Sequence, residues 1–142
     1  MTHAALVCRQ SSVPAKRLFT KTENGLSAEW AGSVWLNPPF SSKRDWYDRM
    51  MAHRNGIALI PARTETHDYQ DYMNAADALL FLKGRIYFER GHRPGANAAG
   101  GVTTTPPFGI VLCAYSASMA AALLQSKLLG VRALVTHKER AE

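Results

Sequence analysis

The run Gly32-Ser33-Val34-Trp35-Leu36-Asn37-Pro38-Pro39-Phe40-Ser41 holds the change of pattern that decides how this chain folds. Ser33 to Leu36 is short, β-branched and aromatic, and it stops at two prolines. Proline donates no ladder hydrogen bond, so the stretch reads as a buried strand ending at Asn37. Ser41 or Ser42 can then cap a helix running to about His53, since a hydroxyl accepts from an orphan amide in the first turn. Within it Trp46, Tyr47, Met50 and Met51 fall at i, i+1, i+4 and i+5, which is one helical face. Asn55-Gly56 is expected to close that helix.

The same alternation continues downstream. Ile57 to Ile60 reads as a second buried strand ended by Pro61, and about Thr66 to Ala76 as a helix. Leu79 to Leu82 reads as a third strand and Arg85 to Phe88 as a fourth. Residues 89–105 are rich in Gly, Ala, Thr and Pro and are expected to form a mobile loop, because the apolar strand Phe108 to Tyr115 follows. Ser116 or Ser118 is expected to cap a last helix, with Met119, Leu123 and Leu124 inward and Gly130 ending it. The charged tail His137 to Glu142 is expected to fray.

Upstream the signal is thinner. Residues 1–17 show no clean periodicity, although Ala4 to Cys8 is compatible with a strand or the remnant of one. Glu23-Asn24-Gly25 is a turn signal with Trp30 behind it. Strand, helix, strand, helix, strand is the rhythm of an open α/β sheet, and 142 residues suffice for one such domain. In such sheets the carboxyl ends of the strands line the active crevice. Asn37 to Phe40 and Pro61 to Thr64 both fall at that kind of position.

Composition narrows the class. Hydrophobic residues make up 46% and charged residues 20%, and no apolar run approaches a membrane span. The first residues lack the regions of a secretory signal, so a cytoplasmic protein is the expectation. Cys8 and Cys113 match no metal spacing and read as neutral thiols, and the five histidines show no ligand pattern. No metal is expected. Lys and Arg number 17 against 11 Asp and Glu, a net charge of +6, and that excess attracts polyanions such as DNA.

The chemistry of Asn37-Pro38-Pro39-Phe40 follows from what an aromatic amine needs. Its lone pair is delocalised into the ring, so it attacks a methyl sulfonium only when its N–H groups are held and the lone pair is aimed. Two fixed acceptors do this, a side-chain carbonyl and a backbone carbonyl. Asn37 offers the first, and Pro38 the second on a chain that Pro39 stiffens. Phe40 can stack on a base swung out of the duplex. The plainer alternative is a turn after a strand.

Wider stretches of the chain resemble the phage-type DNA N-6-adenine-methyltransferase family. They are Gly32 to Ser41, Trp46, Ile60-Pro61-Ala62-Arg63-Thr64-Glu65-Thr66, Leu80 to Phe88, and Pro106-Pro107-Phe108 before an apolar strand. Phe19-Thr20, Asn24-Gly25-Leu26 and Trp30 add to it upstream. The resemblance covers roughly residues 17–130. It implies a Rossmann-like class I methyltransferase sheet with flanking helices, S-adenosylmethionine as cofactor and adenine N6 in DNA as substrate. It also implies a catalytic loop Asn37, Pro38, Pro39, Phe40, and a cofactor-side segment of Phe19, Asn24, Gly25 and Leu26. A phage or prophage origin in a bacterial host follows from it alone.

Two departures stand out. Family members usually have Asp-Gly-Leu where this chain has Asn24-Gly25-Leu26, which is mild because Asn still hydrogen-bonds an adenine edge. The family's first strand ends in an acid followed by small residues, whereas here Leu6-Val7-Cys8-Arg9-Gln10-Ser11 has neither acid nor glycine. The chain is therefore expected either to be truncated or rearranged at its N-terminus, with a sheet edge left open there, or to be a decayed copy. A homo-oligomer or a partner chain is one way to supply the missing segment.

Arg63 either meets a phosphate or the substrate base at the strand rim, or pairs with a nearby acid such as Glu65 or Asp68. Lys83, Arg85, Arg90, His92 and Arg93 form a basic stretch suited to DNA, or a solvated hairpin. Tyr69, Tyr72 and Met73 read as helix-to-sheet packing, and Trp35 as core. Two other functions compete with DNA adenine methylation. One is an inactive relative acting as a DNA-binding or interaction module. The other is an enzyme for a different planar amino group, a glutamine side chain or an RNA base.

Overall fold

The computed structural model describes residues 3–6, 15–19, 23–38, 43–87 and 106–136, the first group as backbone only. Pro39, Phe40, Arg90, His92, Arg93, Cys8, the expected loop at 89–105 and the expected frayed tail lie outside the described residues.

Among the described residues seven strands form one sheet: β1 (His3–Leu6), β2 (Arg17–Phe19), β3 (Ser33–Leu36), β4 (Gly56–Pro61), β5 (Ala78–Leu82), β6 (Ile110–Tyr115) and β7 (Gly130–Leu134). Three helices accompany them: α1 (Lys43–His53), α2 (His67–Asn74) and α3 (Ala117–Gln125). The order across the sheet is β2-β1-β3-β4-β6-β5-β7. The block β2-β1-β3-β4 is parallel, and β6 lies antiparallel to both β4 and β5. β7 runs antiparallel to β5 at the far edge.

Each face of the sheet buries its own layer. α1 and α2 place Tyr47, Met50, Tyr69, Tyr72 and Met73 against Val34, Leu36, Ala58, Ile60, Val111, Cys113 and Tyr115. α3 covers the opposite face with Ala120 and Leu123 against Leu59, Ala78, Leu80, Leu112 and Ala114. β6 is therefore buried at all six positions, and β4 at five of six. Strands covered on both sides lose the polar alternation of a half-buried strand, which is why both read as unbroken apolar runs. Trp35 is half-buried and packs on the α3 face. Two of the buried phenols donate to backbone carbonyls, Tyr47 to that of Leu59 and Tyr115 to that of Tyr72, each at 2.9 Å. Burial pushes the Cys113 thiol up, so it is an inert core residue, as its type suggests.

Three local expectations are corrected. Arg85 to Tyr87 is not a strand, since the chain leaves the sheet after Leu82 and turns at Gly84, φ 78°. The place beside β5 is taken by β7, and Gly130 opens that strand instead of ending α3, which stops at Gln125. The left-handed residue after α1 is Arg54, φ 54°, and not Gly56. Gly56 is needed for proximity: a Cβ there would stand 2.3 Å from the Val34 carbonyl oxygen. It lets β3 and β4 pair directly beneath Met50 of α1.

Arg54 is held in its strained conformation by Asp77, whose carboxylate accepts from Nη2 at 3.1 and 3.2 Å. The same carboxylate accepts from the backbone N–H of Ser116 at 2.7 Å. Ser116 has φ 120° and caps α3 by accepting from Met119 N. One acid thus ties the end of α1 to the start of α3 on the amino side of the sheet. Among the described residues no helix is long and apolar enough to cross a membrane.

Candidate functional site

The chain reverses its direction of winding between β1 and β3. From β1 it crosses outward to β2, and from β3 it crosses the other way to β4. Ligands of open α/β sheets bind outside the carboxyl ends of the strands at such a switch point. Register fixes what lies there: Leu6 pairs with Phe19 on one side and Leu36 on the other, in one row. Asn37 is the next residue beyond that row. It is half-buried, Pro38 beneath it is buried, and the Asn37 amide makes no hydrogen bond to another described residue. The switch point therefore lies between the ends of β1 and β3, with Asn37 on its β3 side, and the described segment 23–30 follows β2.

That segment is tied down. Asn24 accepts from Leu26 N through its side chain at 3.2 Å, and its carbonyl accepts from Ser27 and Ala28. Trp30 Nε1 donates to the Gly25 carbonyl at 2.8 Å. The Trp30 ring stacks on Trp46 of α1 at 6.5 Å, meets His53 edge-on and lies under the Arg49 guanidinium, which also donates to the Ala28 carbonyl. The turn Asn24-Gly25-Leu26 is thus anchored to the helix that follows the Asn37 loop. Asn24 is exposed and Gly25 buried. Phe19 is only 2% exposed, so its ring serves as core beneath the crevice and presents no free face.

The other strand ends extend the same rim. Arg63 lies two residues past β4, and its carbonyl accepts from the Thr66 hydroxyl at 3.1 Å and from Thr66 N at 3.2 Å. Its guanidinium sits over the Phe108 ring at 5.4 Å. Phe108 precedes β6, which enters the rim from the opposite direction, and Gly109 joins it to β4 by accepting from Ala62 N at 2.8 Å. The ion pair foreseen as an alternative for Arg63 does not form: Asp68 faces Arg44 at 3.9 Å, and no described acid lies within 4.0 Å of Arg63. Lys83 and Arg85 follow β5 on this rim, both exposed. The structure therefore brings Asn37, Arg63, Lys83 and Arg85 to the carboxyl side of the sheet, with Phe19 in the core at the end of β2 and the Asn24 turn packed on α1 through Trp30.

Tyr69, Tyr72 and Met73 are buried against the sheet, as packing residues. Tyr72 is pushed up to about 12, first by burial and then by the carboxylates of Asp48 and Asp68. Among the described residues the buried Tyr69 hydroxyl has no hydrogen-bond partner, and the Lys43 ammonium lies 4.7 Å from the ring centre. Sequence reasoning gave Tyr69 no role beyond packing, and its orphaned hydroxyl is visible only in three dimensions. Among the described residues no group of His, Cys, Asp and Glu is placed to hold a metal.

A strand-end asparagine before prolines, beside the switch point and on a basic rim, is what the aromatic-amine chemistry asks for. A family model described as DNA N-6-adenine-methyltransferase (Dam) matches residues 6–105, 100 of the 142 residues. The chain belongs to the Dam family. The matched span runs from the last residue of β1 through β5 and includes Asn37, Arg63, Lys83 and Arg85. Membership of the Dam family points to DNA as substrate and implies a methyl donor of the S-adenosylmethionine type. No curated protein and no solved structure matches the chain.

Proposed function

We propose that the chain methylates adenine at N6 in DNA with S-adenosylmethionine as donor. The observation that carries the reading is Asn37, half-buried at the carboxyl end of β3 beside the switch point, its amide uncommitted among the described residues. The sheet supports a Rossmann-like class I methyltransferase fold through its parallel block β2-β1-β3-β4 and the reversed strand β6 between β4 and β5, with a second reversed strand, β7, added at the edge.

The residues at the crevice fit such a donor in kind. The exposed Asn24 amide can donate to an adenine or ribose acceptor, since its oxygen is already used by Leu26 N. Phe19 and Leu36 close the core below that crevice and are themselves not open to a purine. A bound donor would supply an electrophilic methyl carbon with a neutral thioether as leaving group, and the excess N6 proton would pass to water. Asn37 accepts one N6–H through its side-chain oxygen and the Pro38 carbonyl accepts the other, which aims the lone pair. Phe40 stacks on the extruded base in this reading. Arg63, Lys83 and Arg85 neutralise backbone phosphates along the rim, and Arg90 and Arg93 extend the basic stretch in sequence.

A second reading keeps the DNA contact without catalysis, and the acid-free sequence Val7-Cys8-Arg9-Gln10-Ser11 after β1 favours it. Calorimetric titration with S-adenosylmethionine and with its demethylated product separates the two. Saturable binding that weakens in Asn24→Ala supports the enzyme. A folded protein with salt-dependent DNA binding and no heat of cofactor binding supports the inactive relative.

A further inference from the structure

The segment between α3 and β7 has no part in the site so far described, and it lies past the span shared with the family model. Ser126 to Leu129 crosses the carboxyl rim, because Gly130 pairs with Leu82 and the Leu129 carbonyl accepts from Lys83 N at 2.9 Å. It exposes two leucines, Leu128 at 48% and Leu129 at 70%. The loop is braced: the Arg132 guanidinium donates to the carbonyls of Ser126 at 2.7 Å and Leu128 at 2.6 Å. A braced loop cannot fold these side chains away, so it holds apolar surface in water that a collapse of the loop would remove.

Charge says what the surface faces. Lys83, Arg85 and Lys127 stand exposed around the leucines, with Tyr87 at 68% exposure on the same exit from β5. No Asp or Glu occurs in residues 78–87 or 106–136, which make up this half of the sheet and α3. An apolar tip with exposed cations on the adjoining segments and no acid among the described residues of this half complements a nucleic-acid duplex, where apolar wedges enter between base steps while cations take the phosphates. β7 is four strand spacings from β3, so the tip stands about 19 Å along the rim from Asn37, close to the width of a duplex or some five base-pair steps.

We propose that Leu128 and Leu129 form a DNA wedge that engages the duplex at a base step away from the target adenine. The inference rests on the reading of DNA as substrate and adds a second, apolar point of contact to it. The competing occupant is a second copy of this chain, since Val131 and Leu134 on edge strand β7 are also exposed, at 70% and 69%.

The test compares wild type with the double variant Leu128→Ser/Leu129→Ser, whose changes lie on the surface and leave both cores intact. Fluorescence anisotropy with a mixed-sequence 24-base-pair duplex and its single strand, across a salt series, reads the effect; the probe length follows from spanning about two helical turns. The wedge weakens duplex binding by about tenfold in the variant, with single-strand binding changed less than about twofold and an unaltered salt slope, because a leucine releases no counterions. Lys83→Ala, in contrast, lowers that slope. Equal duplex affinity in wild type and variant overturns the wedge while leaving the substrate reading intact. A wild-type dimer that the variant converts to monomer in sedimentation, with DNA affinity unchanged, overturns it in favour of self-association. A wild type without salt-dependent duplex binding overturns the DNA reading itself.

Discussion

Replacing Asp77 with Ala tests whether one acid holds the amino side of this fold together. The carboxylate accepts from Arg54 at 3.1 and 3.2 Å and from Ser116 N at 2.7 Å. The Arg54 pair is partly exposed, its side chain at 45% and that of Asp77 at 26%, so by itself it contributes only about 0.5–1 kcal/mol after screening. The Ser116 bond is charge-assisted and part-buried, and losing it costs about 1.5–3 kcal/mol. Arg54 and Ser116 both sit at positive φ, 54° and 120°, and that strain is compensated by these same bonds. The expected loss is about 3 kcal/mol, which lowers the urea midpoint by roughly 1–2 M at an m-value of about 2 kcal/mol/M. Asp77→Asn keeps an acceptor for Ser116 and loses about half as much. Equilibrium urea unfolding followed by circular dichroism measures both variants. A loss under about 1 kcal/mol in the Ala variant refutes the reasoning, because it would mean the two strained residues hold their conformation without the carboxylate.

Other consequences follow from single contacts. Gly56→Ala places a Cβ 2.3 Å from the Val34 carbonyl oxygen and should cost about 2–3 kcal/mol by forcing β3 from β4, read as a lowered Tm. Tyr47→Phe removes the bond to the Leu59 carbonyl and should cost about 1–2 kcal/mol, while Tyr69→Phe deletes an orphaned hydroxyl and should be neutral or slightly stabilising. If Tyr69→Phe keeps stability but loses activity, that hydroxyl serves the site. Tyr47, Tyr72 and Tyr115 are all raised by burial, so their stabilisation is full below the unfolded value near 10 and is lost as pH rises through the folded values. Above pH 10 the unfolded chain ionises these phenols before the fold does, so stability falls as pH rises, and the phenolate absorbance of these three should emerge together with loss of the far-ultraviolet signal.

Much of the architecture is legible because it is written in local signals. Ser33 to Leu36 with its prolines, the apolar face of α1 and the uninterrupted runs of β4 and β6 each state their own environment. Other elements are set by neighbours distant in sequence. β2 has three residues, too few to show a period, and forms because β1 offers an edge. β7 has an exposed edge, so its Val131 and Leu134 point to solvent and give no core signal. Arg85 to Tyr87 has the composition of a strand, yet the edge it would need is already held by β7. Arg54 does a glycine's work because Asp77, 23 residues on, stabilises it.

The site divides along the same line. Asn37 and the placing of Arg63 at a strand end follow from proline positions, and the rim then collects Lys83 and Arg85 because β5, antiparallel to β6 as β4 is, runs in the same direction as β4. Phe19 is a core residue below the crevice, a distinction that only burial reveals. Leu128 and Leu129 were hidden because leucines after an amphipathic helix look like more of its core.

The most direct test of the account is transfer of labelled methyl from S-adenosylmethionine to adenine-containing duplex DNA, with the product nucleoside resolved, by wild type and by Asn37→Ala. The account predicts N6-methyladenine from wild type and a loss of at least about a hundredfold in kcat for the variant, with unchanged Tm and cofactor affinity. Equal turnover by a folded Asn37→Ala protein would contradict it.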